Sequence, residues 1–193
     1  MTGVLALHGA GGSAARFRKQ LHHIATGTPA LSWQVPSADR PPEPVDKIHY
    51  AGLGAAAYRH PCWNIDALAR AGAQKVLLGF SMGAITAMRV LQASPAKTRA
   101  VVCIAGCHSM MQLFGEPCSA PEGFAGPVLF IHGTMDKQIP PALSHECARA
   151  LEKAGATVDY WLIPGAGHSL DQLGLTGPGP TADRLRQWIE DIP

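Results

Sequence analysis

Residues 76–84 read Val-Leu-Leu-Gly-Phe-Ser-Met-Gly-Ala, and the interpretation of the whole chain starts from this stretch. A short apolar run ends in Gly-Phe-Ser-Met-Gly at 79–83, and a helix-compatible run follows as far as Gln92. This is the strand–turn–helix context of a nucleophile elbow with the pattern G-x-S-x-G. The serine of such an elbow lies on a tight, strained turn, so the positions two before and two after it carry almost no side chain. The stretch therefore predicts a reactive Ser81 at the N-terminus of a helix.

Composition is typical of a globular protein. The 193 residues are 47% hydrophobic and 16% charged, which predicts one domain over 1–193 with a sizeable core. A formal net charge of +2 without a basic block argues against nucleic acid as a partner. No apolar run approaches the roughly 18 residues that a membrane span requires. The N-terminal residues read as a strand rather than a signal peptide.

The cysteines show no metal-binding motif. There are five of them, an odd number with irregular spacing, at positions Cys62, Cys103, Cys107, Cys118 and Cys147. We expect reduced thiols, and therefore a cytoplasmic location, with no bound metal.

Apolar runs alternate with helical patterns along the chain. The runs that predict strands lie at 4–7, 30–35, 75–80, 100–105, 127–131 and 157–163. Short runs that are apolar on both faces are typical of parallel strands buried between helices. The sequence therefore predicts an α/β fold with a doubly wound, mostly parallel six-stranded sheet flanked by about six helices. Chemistry in such a sheet lies at the carboxyl ends of its strands.

Two segments lack a clean period. Residues 37–61 are rich in proline and then in glycine and alanine, which predicts a loop long enough to line a site. Residues 106–126 form either a surface excursion or a small cap over an apolar acyl pocket. On the second interpretation, Met110, Met111 and Phe114 are candidate substrate-binding residues.

An activated serine needs a base and a carboxylate that orients the base. His168 is the best of nine histidines, because it follows the last predicted strand in a Gly-Ala-Gly-His loop that can reach back over the sheet. Asp136, at the end of His-Gly-Thr-Met-Asp, is the best acid, whereas Asp159 lies within a predicted strand. His132, at the start of that motif, is interpreted as structural. The chain order Ser81, Asp136, His168 belongs to one lineage of serine hydrolases and not to the others.

Two backbone N–H groups are candidates for stabilising an oxyanion. One belongs to Met82, directly after the serine, and the other to the turn His-Gly-Ala-Gly-Gly at 8–12. Ala10 is the first choice in that turn and Gly11 the next, and Gly11 is also a candidate substrate-binding residue. A glycine-rich turn before a helix can instead cradle phosphate. This one lacks both the P-loop pattern and the third spaced glycine of a dinucleotide site.

Together these motifs resemble the α/β-hydrolase superfamily, and within it the small carboxylesterase/phospholipase group that includes acyl-protein thioesterases. The shared motifs are the His-Gly-x-Gly turn, the serine elbow, the His-Gly-x-x-Asp loop and the Gly-x-x-His loop, at 8–11, 79–83, 132–136 and 165–168. The resemblance covers nearly the whole chain. It implies hydrolysis of carboxylic esters or thioesters through an acyl-enzyme, without a cofactor, on a minimal version of the fold that lacks the first strands. Met82 departs from the glutamine that is frequent in the group.

Three functions are consistent with these observations. The first is a serine esterase or thioesterase that acts on small-molecule substrates with short or medium acyl groups. The second is a lactone or dienelactone-type hydrolase, or a peptidase, that uses the same three residues. The third is a non-catalytic binding module that has kept the fold. The presence of all three triad residue types favours an enzyme.

Overall fold

The computed structural model describes residues 3–41, 44–50, 53–58, 63–71, 74–106 and 121–193. The strands are β1 (Gly3–Leu7), β2 (Ser32–Gln34), β3 (Pro44–Tyr50), β4 (Leu53–Tyr58), β5 (Lys75–Phe80), β6 (Thr98–Ile104), β7 (Val128–Gly133) and β8 (Val158–Ile163). The helices are α1 (Ala14–Gln20), α2 (His22–Gly27), α3 (Ile65–Arg70), α4 (Met82–Ala93), α5 (Pro141–Lys153) and α6 (Pro180–Glu190), with a short 3-10 helix at Pro95–Lys97.

Six of the described strands form one sheet in the order β2-β1-β5-β6-β7-β8, and every neighbouring pair is parallel. The predicted doubly wound parallel sheet is therefore confirmed. From β1 the chain moves outward to β2 and then returns to place β5 on the other side of β1. This reversal makes the space between the carboxyl ends of β1 and β5 a topological switch point, where open α/β sheets bind ligands.

Alternate residues of each central strand face two separate cores. In β1, Leu5 and Leu7 pack on the side of α3, α4 and α5. Val4 and Ala6 pack on the other side, against α1, α2 and α6. Because helices cover both faces, an alternating apolar–polar pattern would bury polar groups in one of the cores. The unbroken apolar runs in the sequence have this cause.

The proline-rich segment differs from the prediction. Residues 37–61 were expected to form a loop, but β3 and β4 pair as a two-stranded antiparallel sheet apart from the main one. Pro44 is the first residue of β3. Proline is tolerated at the first residue of a strand, because the ladder does not need its missing N–H there. The prolines mark where the hairpin begins and do not exclude it.

The helical stretch after the first turn is also divided. Ser13 caps α1 as expected, since its side chain accepts a hydrogen bond from the N–H of Arg16 at 3.3 Å. Phe17, Leu21 and Ile24 are all buried, as their helical spacing predicts. However, α1 ends before Leu21 and α2 begins after it. The apolar period thus persists through a change of helix.

The cysteines depart from expectation. Cys103 in β6 is buried and forms no disulfide, whereas Cys147 in α5 is disulfide-bonded. The prediction that all the cysteines are reduced is therefore wrong, and the argument from it to a cytoplasmic location loses its support.

Within the described ranges, no cluster of three or more His, Cys, Asp or Glu side chains could hold a metal ion. In the same ranges, no helix combines the length and the apolar character needed to cross a bilayer.

Candidate active site

Ser81 lies on the sharp turn between β5 and α4. Its backbone has φ 55° and ψ −119°, a strained conformation for a non-glycine residue. A Cβ at Gly79 would collide with the carbonyl of Gly83, and a Cβ at Gly83 would collide with the carbonyl of Leu7. The Ser81 N–H donates to the carbonyl of Ile104 at 2.8 Å. The glycines of the motif therefore allow the turn to close against its neighbours, as the sequence predicted.

The ring of His168 joins the other two predicted residues. Its Nε2 lies 2.9 Å from Ser81 Oγ, and its Nδ1 lies 2.7 Å from Asp136 Oδ2. The side chain of His168 is 12% exposed and that of Asp136 is fully buried, so solvent reaches the imidazole but not the carboxylate. The rival acid, Asp159, lies in β8 and accepts a hydrogen bond from Trp188 at 2.7 Å instead.

The loops that carry Asp136 and His168 are bonded to each other. The N–H of Met135 donates to the carbonyl of Ala166 at 2.8 Å. In the opposite direction, the N–H of Gly165 donates to Thr134 Oγ1 at 2.8 Å. These bonds fix the separation of the two loops, and with it the distance between the acid and the imidazole.

The carboxylate of Asp136 is held by hydrogen bonds on both oxygens. Oδ1 accepts from the backbone N–H groups of Gln138 at 2.9 Å and Ile139 at 3.0 Å. Oδ2 accepts from His132 Nε2 at 3.0 Å and from His168 Nδ1. Burial acts to raise the pKa of Asp136, but the hydrogen bonds from His132, His168 and Ile139 outweigh it and lower the pKa well below its usual range. The group is therefore a carboxylate at neutral pH.

His132 continues this network into the protein. Its side chain is fully buried, and its Nε2 also lies 2.8 Å from the carbonyl of Ile139. Because Nε2 faces two acceptors, it carries the proton. Nδ1 lies 2.7 Å from Ser144 Oγ, which in turn lies 2.9 Å from the hydroxyl of Tyr160. The sequence showed His132 only as part of a motif, and no short motif links it to α5 and β8.

The turn after β1 packs directly against the serine elbow. A Cβ at Gly9 would lie 3.0 Å from the ring of Phe80 and 3.3 Å from the Cβ of Ser81. This contact brings the predicted oxyanion residue Ala10 to the same rim as Met82, the first residue of α4. Gly11 is exposed and has φ 68°, a conformation that favours glycine.

Ala105 is a second strained residue at this rim that the sequence did not predict. It follows β6, has φ 46°, and donates its N–H to the carbonyl of Ile131 at 2.8 Å. A Cβ on the next residue, Gly106, would collide with the carbonyl of Ser81. Backbone strain therefore occurs at the ends of both β5 and β6, where functional sites tend to concentrate it.

Three predicted substrate-binding residues, Met110, Met111 and Phe114, lie outside the described residues, as does most of the predicted cap at 106–126. Their role stays a prediction.

Comparison with known proteins agrees with this geometry. Residues 66–176, more than half of the chain, match the family model described as Phospholipase/Carboxylesterase. No curated protein matches the chain by sequence.

Solved structures share the fold at low sequence identity. SOBER1 from Arabidopsis thaliana is 19% identical with a TM-score of 0.65, over 98% of each chain. Esterase PE8 is 20% identical with a TM-score of 0.68, over 100% of this chain and 93% of that one. A thermophilic esterase from Thermogutta terrifontis is 16% identical with a TM-score of 0.60, over 99% of this chain and 89% of that one. With the fold and the family match in agreement, the chain belongs to the phospholipase/carboxylesterase family of α/β-hydrolases.

Proposed function

We propose that this chain is a serine hydrolase that cleaves carboxylic esters or thioesters of short to medium acyl groups through an acyl-enzyme. The observation that carries the proposal is the bridging position of His168, 2.9 Å from Ser81 Oγ and 2.7 Å from Asp136 Oδ2. Both distances are within hydrogen-bonding range, which a nucleophile and its general base require. Membership of an esterase family supports the same activity.

The geometry supports a defined proton path. Because Nδ1 of His168 faces the Asp136 carboxylate, it carries the ring proton, and Nε2 accepts the hydrogen bond from the Ser81 hydroxyl. As Ser81 Oγ bonds to the acyl carbon, its proton moves to Nε2. The imidazolium returns that proton to the leaving oxygen or sulfur as its bond to the acyl carbon breaks. Water then repeats the two steps and releases the acid.

Backbone N–H groups would stabilise the negative oxygen of the tetrahedral intermediate. We assign this role to Met82, which begins α4 directly after the serine, and to Ala10, in the turn that packs against the elbow. Loss of one such donor costs about 10²–10³ in kcat in serine hydrolases. The ionised Asp136 stabilises the imidazolium that forms during both steps.

Labelling with a fluorophosphonate probe tests the nucleophile. The probe should label the wild-type protein and fail to label Ser81→Ala, because it needs an activated serine oxygen. Ser94→Ala is the matched control, since Ser94 lies at the far end of α4 and donates to the carbonyl of Val90 at 3.0 Å. A wild-type protein that is not labelled would refute the proposal.

A further inference from the structure

A cavity of about 190 Å³ lies beside the proposed catalytic residues. It is lined by the turn at 8–13, which contains Ala10, and by Ser169 and Leu170. Phe80 lines the cavity, and its ring centroid lies 5.4 Å from that of His168. The cavity therefore borders both the oxyanion turn and the loop of the general base.

This position favours the leaving group as the occupant. In acyl transfer the imidazole gives its proton to the leaving atom, so the leaving group must lie against His168 when its bond breaks. The cavity wall begins at Ser169, the next residue. On the proposed function, on which this inference rests, the alcohol or thiol that leaves the acyl carbon bonded to Ser81 extends toward the cavity.

The cavity carries positive charge from α1. Arg16 and Gln20 both line it, and residues four apart in a helix share one face. Neither side chain makes a hydrogen bond or an ion pair within the described part of the chain. By contrast, Arg18 on the same helix donates to the carbonyl of Val35 at 3.2 Å. Among the described lining residues there is no acid to neutralise Arg16.

These side chains match an anionic group. Guanidinium offers planar, paired N–H donors that fit the oxygens of carboxylate or phosphate, and the glutamine amide adds a further donor. The small volume suits a compact group, since pockets for drug-sized ligands span about 300–1,000 Å³. We propose that this cavity is a leaving-group subsite for esters or thioesters whose alcohol or thiol part carries a negative charge, bound by Arg16 with help from Gln20.

A pair of esters that differ only in that charge tests the subsite. The butyrate ester of 4-hydroxybenzoate has an anionic leaving group, and the butyrate ester of 4-hydroxybenzamide has a neutral one of similar shape. Because both form the same butyryl-enzyme, kcat/KM compares the acylation step alone. The preference is the kcat/KM of the anionic ester divided by that of the neutral ester. At low salt this ratio should be about fivefold larger in wild type than in Arg16→Gln, which is the upper range for an exposed charge pair.

Control variants separate a direct contact with Arg16 from a general effect of the positive charge on α1. Lys19→Gln makes the same change in net charge on α1, but Lys19 is exposed and does not line the cavity, so the preference should survive. Gln20→Ala should reduce the preference less than Arg16→Gln. About 0.5 M NaCl should weaken the wild-type preference, because salt screens exposed charges.

Two results would overturn the subsite. One is a ratio of the two kcat/KM values that is the same in wild type and Arg16→Gln. The other is a ratio that falls as much in Lys19→Gln as it does in Arg16→Gln. In either case the neutral ester would still show whether hydrolysis depends on Ser81. If wild-type protein hydrolysed neither ester in a Ser81-dependent way, the proposed function would fail, and the subsite with it.

Discussion

The two sides of the site differ in how their polar groups are satisfied. On the β7–β8 side, Asp136 is buried and accepts hydrogen bonds on both oxygens from the described chain. On the β1–α1 side, Arg16 and Gln20 face a cavity without a partner in the described residues. Fully satisfied buried networks are rigid, whereas exposed donors remain available to a ligand. On the proposed function, the β7–β8 side would set the chemistry and the β1–α1 side would bind the substrate.

The largest expected effect is on the β7–β8 side, where the polar groups are hydrogen-bonded. Asp136→Asn should lower kcat by about 10⁴ with little change in KM, because the amide no longer holds His168 in its reactive tautomer. Steady-state kinetics on a neutral ester measure both constants. A loss below tenfold would mean that Asp136 is not the orienting acid. It would contradict the assignment of the chemistry to the β7–β8 side.

The next effect tests whether the network beyond Asp136 matters to turnover. His132→Asn removes a donor from Oδ2 and should lower kcat about tenfold at constant KM, since hydrogen bonds to charged groups contribute about 1.5–3 kcal/mol. Thr28→Val is the control, because it removes a buried hydroxyl that donates to the carbonyl of Ile24 and accepts from Trp33, away from the site. Thr28→Val should lower the melting temperature and leave kcat unchanged. Equal kcat values for His132→Asn and wild type would make His132 purely structural.

Acid unfolding tests the charge of Asp136. Its pKa is lower in the folded protein than the ordinary aspartate value of 3.8, so the unfolded chain binds the proton more readily. The resulting stability is fully present above about pH 4 and is lost as the pH falls toward the folded pKa. The difference in melting temperature between wild type and Asp136→Asn should therefore narrow as the pH falls from about 4 to about 3. A constant difference across that range would contradict a lowered pKa.

The smallest effect lies at the outer end of the network. Tyr160→Phe removes the hydroxyl that contacts Ser144 Oγ and the carbonyl of Pro141, and should cost about 1 kcal/mol of unfolding free energy. Because four hydrogen bonds separate this hydroxyl from His168, kcat should stay within twofold of wild type. A tenfold loss of kcat would mean that the Tyr160 hydroxyl on β8 also contributes to turnover.

What the sequence predicted well depended on local rules. Ser81, Asp136 and His168 each follow a strand of the parallel sheet. Because parallel strands bring their carboxyl ends to one edge, the topology alone predicted that these three side chains lie close together. What it missed depended on distant contacts or on ambiguous residues. Prolines hid the β3–β4 hairpin because they are also tolerated at a strand's first position. The link from His132 to Tyr160 joins three elements that share no local pattern, and Arg16 is an ordinary surface residue until the cavity is seen.

The hydrogen bonds between the loops at 132–136 and 165–168 have a consequence for how such proteins diversify. Since the N–H of Met135 donates to Ala166 and the N–H of Gly165 donates to Thr134, we expect the acid and the base to move together. Among the described residues, the hydrogen bonds given for helix α1 do not reach these two loops. On the proposed function, a lineage built on this plan could exchange the alcohols that it releases by altering one short helix, while the residues that transfer the proton stay unchanged.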